Sequence, residues 1–162
     1  MVRLISQISF SLLSFLIVIT LCSCGEPSKT PREKAEKFIN HLNDGNTDAL
    51  KQMLCERLKN RDDIAEELQE LVNLLEGNII SYELTGGGGS GSWSREGNRV
   101  VEHGGGRDIT TDRGNIYRLT LHMYKENDFD LDLIGIYSIF FAEINQDNIG
   151  TDWFLNTIEI EV

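Results

Sequence analysis

Three histidines, His41, His103 and His122, are the side chains of this chain best suited to acid–base work near neutral pH. His122 has the most useful neighbours. It stands in an alternating stretch, residues 116–125, where Thr120 and Tyr124 lie two residues away on either side and share its face. If that face lines a cavity, His122 and Tyr124, with Glu143 from a later strand, can contact a polar ligand. His41 falls in a helical pattern without a clear partner, and His103 adjoins Gly104-Gly105-Gly106 in what reads as a loop. A solvent-facing or structural role is the plainer reading of each. Cys55 would need a nearby base to act as a nucleophile, and none is visible in the local sequence. It reads as a small buried hydrophobe on a helix. These histidines and Cys55 show no zinc-ligand spacing. No catalytic residue, metal or cofactor is assigned.

Two other stretches invite a ligand. Gly86-Gly87-Gly88-Gly89-Ser90-Gly91-Ser92 has the glycine content of a phosphate-binding loop, but no lysine and no following helix. It reads as a flexible hairpin loop. Asp128-Phe129-Asp130-Leu131-Asp132 opens like a calcium loop, yet Leu133 and Ile139 stand where glycine and glutamate are required. It reads as a solvated acidic turn. Trp93 and Trp153 fall outside the long expected strands, where edge packing is the plainer role and a binding rim the sharper one.

The elements that must position these residues begin behind an export signal. Arg3 gives a positive start, residues 4–25 carry no charge, and residues 5–21 are largely apolar. Leu21-Cys22-Ser23-Cys24 then resembles the bacterial prolipoprotein lipobox: an aliphatic residue, two small ones and the modified cysteine. The thiol of Cys24 is the nucleophile that accepts the lipid. Residues 1–23 are therefore expected to be a cleaved signal peptide, residues 24–30 the lipidated cysteine and a short polar tether, and residues 31–162 the folded domain. Several acyl chains on one cysteine anchor stably, at about 0.8 kcal/mol per buried methylene. The domain is placed at the extracytoplasmic face of a cell membrane.

Thr30-Pro31-Arg32-Glu33 starts a helix whose stripe is Ala35, Phe38, Ile39 and Leu42, closed by Gly45. A second helix carries Leu50, Met53, Leu54 and Leu58, and a third carries Ile64, Leu68, Leu71, Val72 and Leu75 up to Gly77. The period then becomes two. Strands are expected over 79–84, 116–125 and 134–144, with a last segment over 153–162 that bears Ile158, Ile160 and Val162. In the strand 134–144, Ile136, Phe140 and Ala142 alternate with Tyr137, Ile139 and Phe141. This order gives an α+β domain, N-terminal helices packed on a curved antiparallel sheet. A sheet apolar on both faces must cover both, so the second face is expected to meet a cavity or a partner.

A formal net charge of −11 over 162 residues argues against nucleic acid, whose phosphates attract lysine and arginine. With Cys22 removed and Cys24 lipidated, Cys55 alone remains and no intramolecular disulfide can form.

Gly77-Asn78-Ile79-Ile80-Ser81-Tyr82, the Gly/Ser-rich stretch from Gly86 and the turn Thr111-Asp112-Arg113-Gly114 resemble a family of uncharacterised small lipoproteins from Gram-positive bacteria. The order of elements resembles the cone-like fold called nuclear-transport-factor-2-like or cystatin-like. The resemblance covers residues 31–162 and implies no particular chemistry. Together these readings point to a lipid-anchored binding module for a small ligand or a protein. The alternatives are a small cavity enzyme of isomerase or hydrolase type using His122, and a homodimer paired through the sheet.

Overall fold

The structure, a computed structural model, describes residues 30–145 and 148–156. The expected signal peptide, the lipobox and most of the tether lie outside the described residues, as do Ile158, Ile160 and Val162. Helices come first and an antiparallel sheet follows. Helix α1, Pro31–Asn43, buries Ala35, Phe38, Ile39 and Leu42, the stripe its sequence predicts. Gly45 turns the chain at φ 63°, a left-handed conformation that favours glycine. Asn46 caps α2, Thr47–Met53, by accepting the Ala49 N–H at 3.0 Å. A short helix α3, Glu56–Lys59, follows, and then α4, Ile64–Leu74, which buries Ile64, Leu68 and Leu71.

The apolar spacing of Leu50, Met53, Leu54 and Leu58 predicts one helix running through Cys55; the structure breaks it there. Leu54 and Cys55 are extended, with φ −72° and −69° and ψ 162° and 158°. The sheet holds them so. Leu54 forms a parallel bridge with Ile136, and the Cys55 N–H donates to the Ile136 carbonyl at 2.9 Å. Tertiary pairing outweighs local helix propensity at these two residues.

Among the described residues the sheet is a meander of five strands: β1 Ile79–Arg95, β2 Asn98–Thr111, β3 Ile116–Asn127, β4 Gly135–Asn145 and β5 Asn148–Asn156. They lie side by side in chain order, each antiparallel to the next. A 3-10 turn, Leu131–Leu133, precedes β4. The glycine-rich stretch is not a loop. It lies inside β1 and pairs with the second glycine cluster, Gly89 with Gly104, Ser90 with His103 and Gly91 with Glu102. The turn of this long hairpin is Glu96-Gly97, where both residues have positive φ, 54° and 85°. Two such residues in succession are what a type I′ hairpin turn requires. Trp93 and Trp153 thus belong to strands, β1 and β5.

One face of the sheet carries Ile109, Leu119, Leu121, Ile139, Phe141 and Leu155 against the helices. Each such side chain contributes about 1.5–3 kcal/mol when fully buried. The strict alternation expected along β4 fails at one point. Met123 pairs with Ile136 but His122 pairs with Ser138, so Tyr137 is an extra residue. This bulge puts Ile136 on the helix side with Ile139 and Phe141, and turns Tyr137 to the opposite face.

Two of the family-like motifs, Gly77 to Tyr82 and Thr111 to Gly114, meet at one corner. Gly77, at φ 91°, brings Asn78 against the β2–β3 turn. The Asn78 N–H and side-chain amide donate to the two Asp112 carboxylate oxygens at 2.9 and 2.8 Å, and the Asp112 N–H returns a bond to the Asn78 carbonyl at 2.9 Å. These bonds hold the Asp112 carboxyl below the usual carboxylate range. Asn43, at the end of α1, accepts the Ile79 N–H at 2.6 Å, and the Tyr117 hydroxyl accepts the Glu76 N–H at 3.1 Å. The bonds tie the end of α1 and the segments around β1 to the β2–β3 turn and to β3, which gives these residue types a structural task.

Gly135 has φ 123°, and a Cβ there would stand 2.9 Å from the Cys55 nitrogen and 3.0 Å from the Leu54 carbonyl. Gly89 has open space where its Cβ would be. Gly135→Ala is therefore expected to lose about 2–3 kcal/mol of stability. Gly89→Ala should stay within about 0.5 kcal/mol of wild type. Denaturant unfolding of the three proteins checks this, and matching midpoints for both variants would refute the account of the crossing.

Candidate functional site

Antiparallel register brings four side chains together on the face away from the helices. Glu102 on β2 pairs with Tyr124 on β3, and Gly104 pairs with His122. The β4 bulge adds Tyr137, whose ring stacks on Tyr124 at 4.4 Å between centroids and tilts against His122 at 6.1 Å. The Tyr137 hydroxyl donates to Oε1 of Glu102. His122 Nδ1 stands 3.9 Å from the same oxygen, near enough to form an ion pair when the imidazole is protonated. The Glu102 and His122 side chains are 41% and 43% exposed, so the cluster is open to a ligand from solvent.

Glycine makes this packing possible. A Cβ on Gly104 would stand 2.8 Å from His122 Nδ1, and one on Gly106 would stand 2.5 Å from Thr85 Oγ1. The bare strand lets the imidazole lie directly over the β2 backbone. Burial raises the Tyr137 phenol, and the hydrogen bond to Glu102 raises it further. Tyr137 is thus a fixed donor to Glu102, while His122 keeps ring nitrogens available to an incoming group. The arrangement can bind a polar or aromatic group by stacking and hydrogen bonding.

Of the ligand contacts expected from sequence, His122 and Tyr124 are brought together. Glu143 is not with them. It pairs with Tyr117 on the helix-facing side and, with Asn73 and Glu76, lines a separate cleft of about 180 Å³. Glu102 and Tyr137 escaped the sequence reading. Glu102 stands between glycine clusters that show no strand period, and strict alternation along β4 predicts the opposite face for Tyr137. The signal that finds Glu102 is the Glu96-Gly97-Asn98 turn, which fixes the β1–β2 register.

The other candidates have structural surroundings. Cys55 is fully buried, and burial pushes its thiol up, away from the nucleophilic thiolate. Asp128 accepts the Arg99 N–H at 2.7 Å, and Asp130 accepts Arg57 Nη2 at 2.5 Å, so both tie neighbouring segments. Among the described residues no three His, Cys, Asp or Glu side chains lie close enough to hold a metal ion. Trp93 stacks on Phe129 at 5.3 Å near the hairpin end. His103 lines a cleft under α1 that also holds Arg107, a buried arginine on a stretch to which sequence periodicity assigns no element.

Tyr137 supplies a pH test. Its ionisation is raised above the value in the unfolded chain, so it adds stability below about pH 10 that is lost as pH rises further. Wild type is expected to lose stability more steeply than Tyr137→Phe above about pH 10. Denaturant midpoints measured at intervals from about pH 8 to pH 11 give the comparison. Parallel curves would dismiss the Tyr137–Glu102 bond as an energetic feature.

Residues 37–146, which include the Asn78–Asp112 corner, Glu102, His122, Tyr124 and Tyr137, match a family described as "Domain of unknown function (DUF5104)". No curated protein matches the chain. The match spans more than half of the sequence, and the chain belongs to the DUF5104 family.

Proposed function

We propose that this chain is a lipid-anchored, extracytoplasmic binding module. The lipid is carried by Cys24, and the domain of residues 31–162 offers the uncovered face of its sheet to a small polar ligand or a protein partner. The observation that carries the binding reading is the Glu102–His122–Tyr124–Tyr137 cluster, half-open on the face away from the helices. The anchor rests on the Leu21-Cys22-Ser23-Cys24 spacing behind an uncharged apolar run. Among the described residues no helix is long and apolar enough to cross a membrane, which is compatible with a lipid tether. Helices on one side of an antiparallel meander also support the cone-like, nuclear-transport-factor-2-like relationship. A second copy of the chain is one partner this face can take. The alternative, acid–base catalysis, would use His122 and Glu102, and it must contend with a Glu102 oxygen already occupied by Tyr137.

Two measurements test the proposal. Wild type is expected in the membrane fraction with the mass of a processed, acylated chain, whereas Cys24→Ser should be unacylated and keep its signal segment. Identical mass and partition for the two would remove the lipid anchor. Native mass spectrometry of the gently extracted chain is expected to show a dissociable adduct or a specific oligomer, diminished in His122→Ala and Glu102→Gln. An adduct or oligomer indifferent to both substitutions would place binding away from this face.

A further inference from the structure

On the other side of the sheet, Glu36 attracts Arg107 from beyond 4.0 Å, and this arginine has no direct ion-pair partner. It lies in β2 between Leu84 on β1 and Leu119 on β3, facing the helices, and is only 7% exposed. Its guanidinium remains charged at any ordinary pH and offers five N–H donors in a planar fork. Among the described residues, no carboxylate comes within 4.0 Å of it and no side-chain hydrogen bond satisfies it. The nearby Arg32 is different, since its Nε is bonded to Glu36 at 2.9 Å. A buried, unpaired cation is costly to fold, and replacing such a group with an apolar one of similar size commonly stabilises a protein.

Arg107 opens into a cleft of about 140 Å³ between the start of α1 and the glycine ribbon, with Arg32, Leu84, His103, Gly104 and Gly105 in its wall. No carboxylate side chain lines it, although the whole chain carries a net charge of −11. The glycines leave the cleft unfilled. A Cβ on Gly105 would stand 3.8 Å from Arg107 Nη1, directly beside the guanidinium. The cavity is smaller than the roughly 300–1,000 Å³ pockets of drug-sized ligands. It suits the charged end of a small molecule.

We propose that this cleft binds an oxyanion, the carboxylate or phosphate group of a small molecule, on the Arg107 guanidinium. A planar two-oxygen acceptor matches the arginine fork, forms charge-assisted bonds in a mostly apolar wall, and supplies the direct partner that Glu36 does not. The site lies across the sheet from the Glu102–His122 cluster, so the two stand or fall separately.

The test is thermal unfolding of the full chain in detergent micelles, titrated with sodium phosphate, sodium acetate or sodium chloride at matched ionic strength. Phosphate or acetate is expected to raise the midpoint saturably, and chloride is not. A response to acetate alone assigns a carboxylate ligand, and a response to phosphate alone a phosphorylated one. Arg107→Met should melt higher than wild type without anion and should lose the anion response. Gly105→Ala, which narrows the cleft and leaves the arginine in place, should weaken apparent anion affinity about tenfold or more. No anion-specific rise in wild type would overturn the proposal. So would an anion response that survives in Arg107→Met, or a lower anion-free midpoint in that variant, which would mark the arginine as structural. If Arg107→Met does not fold, Gly105→Ala decides, and wild-type affinity there counts against the site.

Discussion

At Gly135 the backbone entering β4 runs so close to Leu54 and Cys55 that no side chain fits between them. Two isolated parallel bridges flank the crossing, Leu54 with Ile136 and Tyr124 with Ile134. Much of the architecture follows from that approach. The helix expected through Cys55 must open, because the Cys55 N–H bonds to the sheet instead of to its own turn. The thiol is drawn into the core and kept neutral. One residue further along β4 comes the bulge, which sends Tyr137 to the face where Glu102 accepts its hydroxyl. A backbone contact on the helix side thus stands next to the residue that completes the cluster on the other side.

Glycine supports two opposite effects in the neighbouring ribbon. On the outer face, Gly104 and Gly106 allow His122 and Thr85 to lie against β2 at distances a Cβ would forbid. On the inner face, Gly88, Gly104 and Gly105 leave a cleft beside Arg107. Glycine weakens a strand, both by entropy and by giving up side-chain packing. Here the backbone ladder with β2 and β3 provides the order that the side chains do not. The same residue type therefore yields a crowded surface on one side and a vacancy on the other.

The elements legible in the sequence were those whose signal is periodic and local. Ala35, Phe38, Ile39 and Leu42 define α1, and Tyr117, Leu119, Leu121 and Met123 define the buried side of β3. What escaped was set by partners distant in sequence. A glycine run has no side-chain period, so Gly86 to Ser92 and the stretch from His103 to Gly106 read as loops although they lie in paired strands. The bulge at Tyr137 depends on register with β3, and alternation alone assigned it to the wrong face. The candidate site shows the same limit. His122 and Tyr124 share a face by local spacing, whereas Glu102 and Tyr137 join them only through the ladder, and Glu143 is carried to the opposite side.

Among the described residues, the free thiol and several aspartates are engaged in structure. Cys55 is enclosed, Asp128 and Asp130 tie segments together, and Asp112 is fixed by Asn78. The groups left open are suited to recognition. His122 and Tyr124 offer ring faces and polar edges, and Arg107 offers an unsatisfied fork. The two sites differ in sign, since Glu102 makes the outer cluster acidic while the inner cleft has cationic groups and no carboxylate in its wall. A neutral buried orphan such as Trp153 Nε1 or Thr111 Oγ1 forfeits one hydrogen bond. A largely buried guanidinium gives up part of the hydration of a full charge, a larger penalty. Packing alone is better served by an apolar residue at position 107, and the long-range attraction of Glu36 offsets only part of the cost of burying the charge.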